Sequence, residues 1–208
     1  KNHFGHGRFG SVAYEFEMAK RQVTNAEYAA FLNAVASDAS VANLFDQDMA
    51  IRRIQQGETT VFVAEKGASS LAVTHTSWLD AIRYCNWLHN GKPKGPLGAA
   101  TTESGAYELP LSQEFRRSAG ARYVLPTDHE WYKAAYFHPN QGYQLFSAQH
   151  EDLRLVDHPQ ESNSPWKVAG MYDRLWEWNE NEVNGLFRSV RSGAWFVGNN
   201  KQAAGRLY

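Results

Sequence analysis

The sequence predicts an α+β fold, in one domain spanning residues 1–208, with sparse helices, short strands and long loops. Three segments open with a helix-capping pattern, the alternating segments around them are short, and long polar stretches rich in glycine and proline separate them. A chain of 208 residues with 43% hydrophobic residues is large enough to bury a core.

The three helices are predicted by one recurring pattern. A serine or threonine cap stands three residues before an acid that can complete a capping box, as in Thr24 with Glu27, Ser77 with Asp80, and Thr127 with Glu130. Apolar residues follow each cap at helical spacing. We therefore expect helices to begin at or next to Thr24, Ser77 and Thr127.

The strands and loops are predicted from alternation and composition. Residues 10–23, 58–66, 105–111 and 187–196 alternate as half-buried strands do. Residues 90–103 and 141–164 are polar or rich in small residues and predict long loops, and residues 170–181 predict a turn that carries tryptophans.

The bulk composition excludes several classes of protein. Lysine and arginine total 21 against 22 aspartates and glutamates, so the chain lacks the basic field that nucleic-acid binding requires. The apolar runs are too short to span a membrane. Cys85 is the one cysteine, which excludes an internal disulfide framework. It lies on the apolar stripe of the second helix, where a buried packing role is expected.

Five segments, taken in order, resemble the successive motifs of the formylglycine-generating enzyme or sulfatase-modifying factor family. They are VTNAEYAAFLNAV, VTHTSWLDAIRYCNWL, YVLPTDHEWYKAAYF, GMYD followed by WEWNE, and RSVRSGAW. The resemblance runs from about Gly10 to Arg206. It implies a C-type-lectin-like fold with one binding face near the C-terminal strands. The family includes the C-terminal domains of sulfoxide synthases and many bacterial extracellular proteins.

The chain departs from the enzymes of this family at the catalytic turn. The enzymes hold copper through two cysteines that follow a Gly-Gly-Ser turn, whereas this chain has Ser192, Gly193 and Ala194 there and no cysteine afterwards. The sulfoxide synthases take iron from histidines of an added helical domain, and no histidine spacing typical of a metal site occurs here. We therefore expect neither copper nor iron, and no catalytic residue is assigned.

A calcium ion is a second implication of the resemblance. The family's turn wraps calcium with side-chain and carbonyl oxygens, and this chain keeps the carboxylates of Asp173 and Glu177 and the carbonyl of Leu175 as candidate donors. The loop is about three residues shorter than the family pattern, which leaves few oxygens for an ion that takes about six to eight. The alternative is that both carboxylates cap nearby backbone donors.

The function these observations favour is a recognition or assembly module without catalytic activity. Its expected partner is a protein or a glycan, because aromatic and arginine side chains give contact area and bidentate hydrogen bonds. The predicted face consists of Trp176, Trp178, Arg191, Trp195, Phe196, Asn199 and Asn200. Packing in the core is the alternative for each tryptophan and the favoured interpretation for Trp176.

Three further interpretations remain open. One is a metal-dependent oxidoreductase of the formylglycine-generating or sulfoxide-synthase type, for which His75 and His158 are candidate ligands by residue type alone. Another is a structural subunit of a larger extracellular assembly. The third is a ligand-binding protein whose last strand is diversified by a retroelement, since WFVGNNKQAAGRLY keeps parts of that family's pattern. The family pattern also predicts a chain that is incomplete at both ends and secreted, periplasmic or on the cell surface.

Overall fold

The computed structural model describes residues 10–35, 44–110, 115–143, 164–171, 175–183 and 187–191, and the backbone of Ala204–Arg206. Its contacts divide the chain into two compact units. Unit 1 contains the described residues up to Gln22 and those from Pro126 to Arg206, and unit 2 contains Val23–Leu125. None of the helices in these segments combines the length and apolar content that a membrane-spanning helix needs.

All three predicted helices are confirmed, together with their starting points. Helix α1 spans Asn25–Val35, α2 spans Trp78–His89 and α3 spans Asp128–Tyr136. Both hydrogen bonds of the capping box form at Ser77 and at Thr127. At Thr24 the backbone N–H donates to Glu27 Oε2 at 2.9 Å, and the Glu27 N–H donates back to the threonine hydroxyl at 3.3 Å.

The core of unit 2 is an aromatic cluster between α1 and α2. Phe31 is fully buried and its ring centroid lies 5.3 Å from those of both Tyr84 and Trp87. Large rings give this core much of its buried apolar area and their preferred tilted and edge-on contacts. Cys85 is buried as expected, with 7% of its surface exposed.

A two-stranded hairpin packs against α1 in unit 2. Strands β1 (Ile51–Gln56) and β2 (Thr59–Ala64) pair antiparallel without a register shift. The prediction for residues 58–66 is confirmed by β2, whereas β1 was not predicted. Its sequence, IRRIQQ, is mostly polar, and its apolar and polar residues do not alternate because the two arginines are adjacent. Both Arg52 and Arg53 are exposed.

The side chain of Asn86 in α2 holds the loop that follows this helix. Asn86 is fully buried and donates to the carbonyls of Thr102 and Tyr107 at 2.7 and 3.0 Å. The Tyr107 N–H donates back to Asn86 Oδ1 at 2.8 Å. The prediction of a strand over 105–111 is therefore wrong for 105–110, because these backbone groups pair with an amide side chain and with loop backbone rather than with another strand.

Unit 1 contains α3, a short hairpin and a three-stranded sheet. The hairpin pairs β3 (Phe137–His138) with β4 (Gly142–Tyr143). The sheet has the order β5–β6–β7, with β5 at Glu177–Val183, β6 at Phe187–Arg191 and β7 at Ala204–Arg206. Trp131 of α3 is buried together with Ala134, Ala135, Val168 and Met171.

Two further predictions are corrected in unit 1. Residues 10–23 form no strand: Phe16 and Met18 pack on the core, but Lys133 Nζ donates to the Val12 carbonyl and no ladder forms. The side chains therefore alternate as predicted, but no strand of the described residues pairs with this segment. Of the predicted turn at 170–181, residues 177–181 belong to strand β5. The strand predicted at 187–196 is confirmed to Arg191. The loop predicted at 141–164 is wrong for Gly142–Tyr143, which form strand β4, and most of the rest lies outside the described residues.

Candidate functional site

The structure describes only part of the predicted site. Leu175, Trp176, Glu177, Trp178 and Arg191 lie on β5, on β6 or directly before β5. The other predicted members lie outside the described residues, namely Asp173, Trp195, Phe196, Asn199, Asn200 and His158. The described part of the site consists of the end of β6, the start of β5 and the beginning of α3.

Arg191 is held by a bidentate ion pair with the first residue of α3. Its Nε and Nη2 atoms donate to the two carboxylate oxygens of Asp128, each at 2.5 Å. The Asp128 side chain is 14% exposed and that of Arg191 is 26% exposed. A planar guanidinium bound at two points has a fixed orientation, which a lysine at the same position lacks.

Two asparagines of strand β5 position Asp128. Asn179 is buried and Asn181 is exposed, and both side chains reach Asp128. Asn179 Nδ2 donates to Asp128 Oδ1 at 3.2 Å, and the Asp128 N–H donates to Asn181 Oδ1 at 2.7 Å. The register of the β5–β6 pair shifts between Trp178 and Glu182. Such an irregularity changes the direction in which the side chains of a strand point.

An aromatic ring supports the guanidinium from another side. The Arg191 carbon Cζ lies 5.9 Å from the centroid of the Tyr132 ring, within the range of a cation–π contact. Tyr132 in turn contacts the rings of Tyr136 and Tyr143 at centroid distances of 4.8 and 5.6 Å. The orientation of Arg191 is thus fixed by a bidentate ion pair and by an aromatic ring.

Sequence reasoning missed Asp128, Tyr132, Asn179 and Asn181 as parts of this site. Asp128 follows the helix cap directly, where an acid is expected to favour the helix dipole, so its sequence position gave no sign of an arginine partner. The asparagines stood in the predicted tryptophan turn, where an asparagine gives no sign of its partner.

Glu177 is bound by two side chains rather than left open to solvent. The Trp131 indole N–H donates to one of its carboxylate oxygens and Gln22 Nε2 donates to the other, both at 2.6 Å. A carboxylate has about four lone-pair positions, so these bonds occupy one on each oxygen. No group of three or more His, Cys, Asp or Glu side chains converges within the described segments, which omit Asp173.

The predicted tryptophans differ in exposure. Trp176 is 51% exposed, so the favoured interpretation of core packing is wrong for this residue, while Trp178 is half-buried. Trp166, in a separate turn of unit 1, is exposed to a similar degree at 49%.

The remaining titratable groups at α3 are also engaged. Glu130 accepts a hydrogen bond from the Thr127 N–H at 2.6 Å and another from the Tyr14 hydroxyl at 2.7 Å. His129 Nδ1 accepts from the Gly10 N–H at 3.0 Å. His75 belongs to unit 2, where its Nδ1 lies 3.0 Å from the Thr74 hydroxyl. The described site therefore presents a fixed arginine and an exposed tryptophan, beside carboxylates that already hold structural donors.

A family model for the sulfatase-modifying factor enzyme 1-like domain matches residues 11–205. The matched range includes the five motifs and reaches into both units. Comparisons with curated proteins and with solved structures gave no significant match. The match confirms the resemblance drawn from the motifs, and three helices with short strand pairs fit the α+β class. The chain belongs to the family of the sulfatase-modifying factor enzyme 1-like domain, and its fold is the C-type-lectin-like fold of that family.

Proposed function

We propose that this chain is a recognition module without catalytic activity, which binds a protein or glycan outside the cytoplasm through its C-terminal face. The observation that carries the proposal is the fixed presentation of Arg191. A guanidinium already oriented by Asp128 and Tyr132 loses little conformational freedom on binding, so more of its contact energy contributes to affinity.

The exposed indole of Trp176 supports the same proposal. A tryptophan that is 51% exposed offers a large apolar surface to a partner. Such rings are frequent binding anchors for proteins and are suited to stacking. Together, Trp176 and Arg191 supply an apolar contact and a directed polar contact.

The chemistry of the described side chains also favours binding over catalysis. Asp128, Glu130 and Glu177 each accept hydrogen bonds from at least two donors, so none is poised as a free base. The one cysteine, Cys85, is buried in unit 2 and follows no Gly-Gly-Ser turn. The thiolate pair that the family's copper chemistry uses therefore has no source in this sequence.

A matched pair of tryptophan substitutions tests the binding face. Trp176→Ala and Trp166→Ala remove rings of nearly equal exposure from the same unit. The tagged protein is applied to an immobilised glycan array and to a panel of purified extracellular proteins. Trp176→Ala should lower binding about tenfold or more, whereas Trp166→Ala should leave it unchanged. Equal losses in both variants would contradict the assignment of the face.

The alternative function is a metal-dependent oxidoreductase, and the match to an enzyme-like family is the observation that favours it. Metal analysis of the purified protein separates the two. Stoichiometric copper or iron would support the enzyme, and a protein that recruits neither metal after incubation with each would support the recognition module.

Calcium bound at Glu177, Leu175 and Asp173 is a separate proposal about stability. The carboxylate of Glu177 is a hard oxygen donor of the kind that calcium takes. A bound ion stabilises the folded state by mass action, and a chelator should then lower the melting temperature. Glu177→Gln should abolish the chelator effect, whereas an unchanged melting temperature in the parent protein would contradict calcium binding.

A further inference from the structure

The outer edge of strand β1 in unit 2 is exposed from Arg52 onward. The directions of its backbone groups follow from the hairpin register. Arg53 pairs with Phe62, and the side chain of Asn33 hydrogen-bonds to both the N–H and the carbonyl of Phe62 at 2.8 Å. The backbone groups of Phe62 therefore point away from β1. In an antiparallel ladder both members of such a pair point outward, so those of Arg53 point away from β2.

The alternation extends this conclusion along the strand. The Glu65 N–H donates to the Ala50 carbonyl at 2.9 Å, which fixes the neighbouring pair as hydrogen-bonded. Arg53 and Gln55, both exposed, consequently present their N–H and carbonyl groups to the outer edge, whereas Ile51 has the same orientation but is only 2% exposed and is not accessible to a partner. Within the described residues no backbone or side-chain hydrogen bond reaches these outer groups.

The two edges of the hairpin differ in their hydrogen-bond partners. Asn33 of α1 covers the β2 edge at Phe62 and takes the place of a neighbouring strand. The β1 edge has no proline, and its six pairs run without a bulge. Proline and bulges are among the devices with which proteins block the addition of a strand. This edge is therefore flat and regular enough to accept one.

Two exposed arginines give the edge a preference of charge. Arg52 and Arg53 are adjacent on the strand, so their side chains lie on opposite faces of the hairpin. No ion pair within the described segments involves either of them. Between Ile51 and Ala64 the one carboxylate is Glu58, in the turn. A strand added along the β1 edge would meet positive charge on both of its faces.

An apolar strip lies on one face of the hairpin beside this edge. It consists of Ile54 of β1 with Val61 and Val63 of β2, and Val63 is 40% exposed. Arg52 and Gln56 lie on the same face. β-Branched residues favour contacts with β-branched neighbours across a sheet. We propose that the β1 edge binds an extended acidic peptide segment of a partner protein as a third strand, with acidic residues at Arg52 and Arg53 and a β-branched residue beside Ile54.

The experiment uses the full chain and a synthetic peptide of about eight residues, the length of an ordinary strand. The peptide has two adjacent glutamates flanked by valines and threonines. One control peptide carries N-methyl groups on alternate amides, which blocks strand pairing while keeping the charge. A second control replaces the glutamates with lysines.

Affinity and amide hydrogen exchange are both measured. The acidic peptide should bind, and N-methylation should weaken binding about tenfold or more. Exchange should slow at Arg53 and Gln55 and remain unchanged at Arg52, Ile54 and Gln56, whose amides already face β2. The double variant R52E/R53E should reverse the preference and bind the lysine peptide, with circular dichroism confirming that it is folded.

Four outcomes would overturn the proposal. These are the absence of binding, binding that N-methylation does not weaken, uniform protection along β1, and alternate protection that appears without peptide as protein concentration rises. The last would show that a second copy of the chain occupies the edge instead.

Discussion

At the scale of single residues, the buried Asp80 and the half-buried Glu103 of unit 2 should respond to pH in opposite directions. Burial raises the pKa of Asp80 above its ordinary value of 3.8, against the opposing effect of hydrogen bonds from Ser77. Burial also acts to raise the pKa of Glu103, but the hydrogen bonds from Arg83 and Thr102 outweigh it and hold the pKa below 4.5.

The signs of the two effects follow from linkage. Asp80 binds its proton more tightly in the folded state, so its contribution to stability grows as pH falls through its raised pKa. Glu103 has a lowered pKa, so its contribution is present above 4.5 and is lost as pH falls through the folded value. The destabilisation by Asp80→Asn should therefore be larger near about pH 4 than near about pH 7, and that by Glu103→Gln should be smaller.

Urea unfolding of the parent chain and both variants at the two pH values measures these differences. The parent chain at each pH is the control, since every other titrating group is shared. The same direction of change in both variants would contradict the assigned causes, because the two pKa shifts have opposite signs.

The pair between Asp128 and Arg191 should depend on the shape of the guanidinium as well as its charge. Arg191→Met leaves Asp128 without its bidentate donor and should lower the free energy of unfolding by about 1–2 kcal/mol, since the pair is partly exposed. Arg191→Lys keeps the charge but cannot donate at two points, so it should recover less than half of the loss. Full recovery by lysine in denaturant unfolding would show that charge alone matters.

At the scale of elements, the caps and the apolar stripes were enough to predict the three helices. Each capping box is local, because its two residues are three positions apart and satisfy each other. The strand predictions that were wrong have the opposite character, because strand pairing is not local. Residues 10–23 alternate as a strand does, but whether a second strand lies beside them depends on distant chain, and here side chains such as Lys133 take part in its place.

The unpredicted features of the fold and the site depend on amide side chains that replace backbone partners. Asn33 covers a strand edge, Asn86 holds a loop, and Asn179 and Asn181 hold Asp128. An asparagine in a sequence indicates a loop, a cap or a surface position equally well. Its partner is fixed only when tertiary contacts form, and so Asp128 could not be predicted as part of the site.

Asn86 offers a test of this role at the scale of the loop. Asn86→Ala should lower the free energy of unfolding by about 3 kcal/mol, because it leaves buried carbonyls and an amide of residues 102–107 without partners. Asn90→Ala is the matched control: it also loses two hydrogen bonds to loop carbonyls, but Asn90 is only half-buried and water can replace it. Urea unfolding should show a much smaller loss, and equal losses would contradict the argument.

At the scale of the whole molecule, the contacts form two units while the family model spans residues 11–205. Unit 1 is assembled from chain on both sides of Val23–Leu125, so it forms only when both ends of that stretch are brought together. We therefore predict that the chain unfolds as one domain. Calorimetry should give one transition with equal calorimetric and van't Hoff enthalpies, and two resolved transitions would contradict a single domain.

The central claim is that a chain of this enzyme-like family recognises a ligand without catalysing the family's reaction. The most direct measurement incubates the purified protein with a cysteine-containing sulfatase peptide, oxygen and added copper, and follows the peptide by mass spectrometry. A catalytically competent family member serves as the positive control under identical conditions. Because Cys85 is buried and no other cysteine exists in the sequence, the cysteine of the peptide should remain unchanged. Conversion of that cysteine to formylglycine by this chain would contradict the claim.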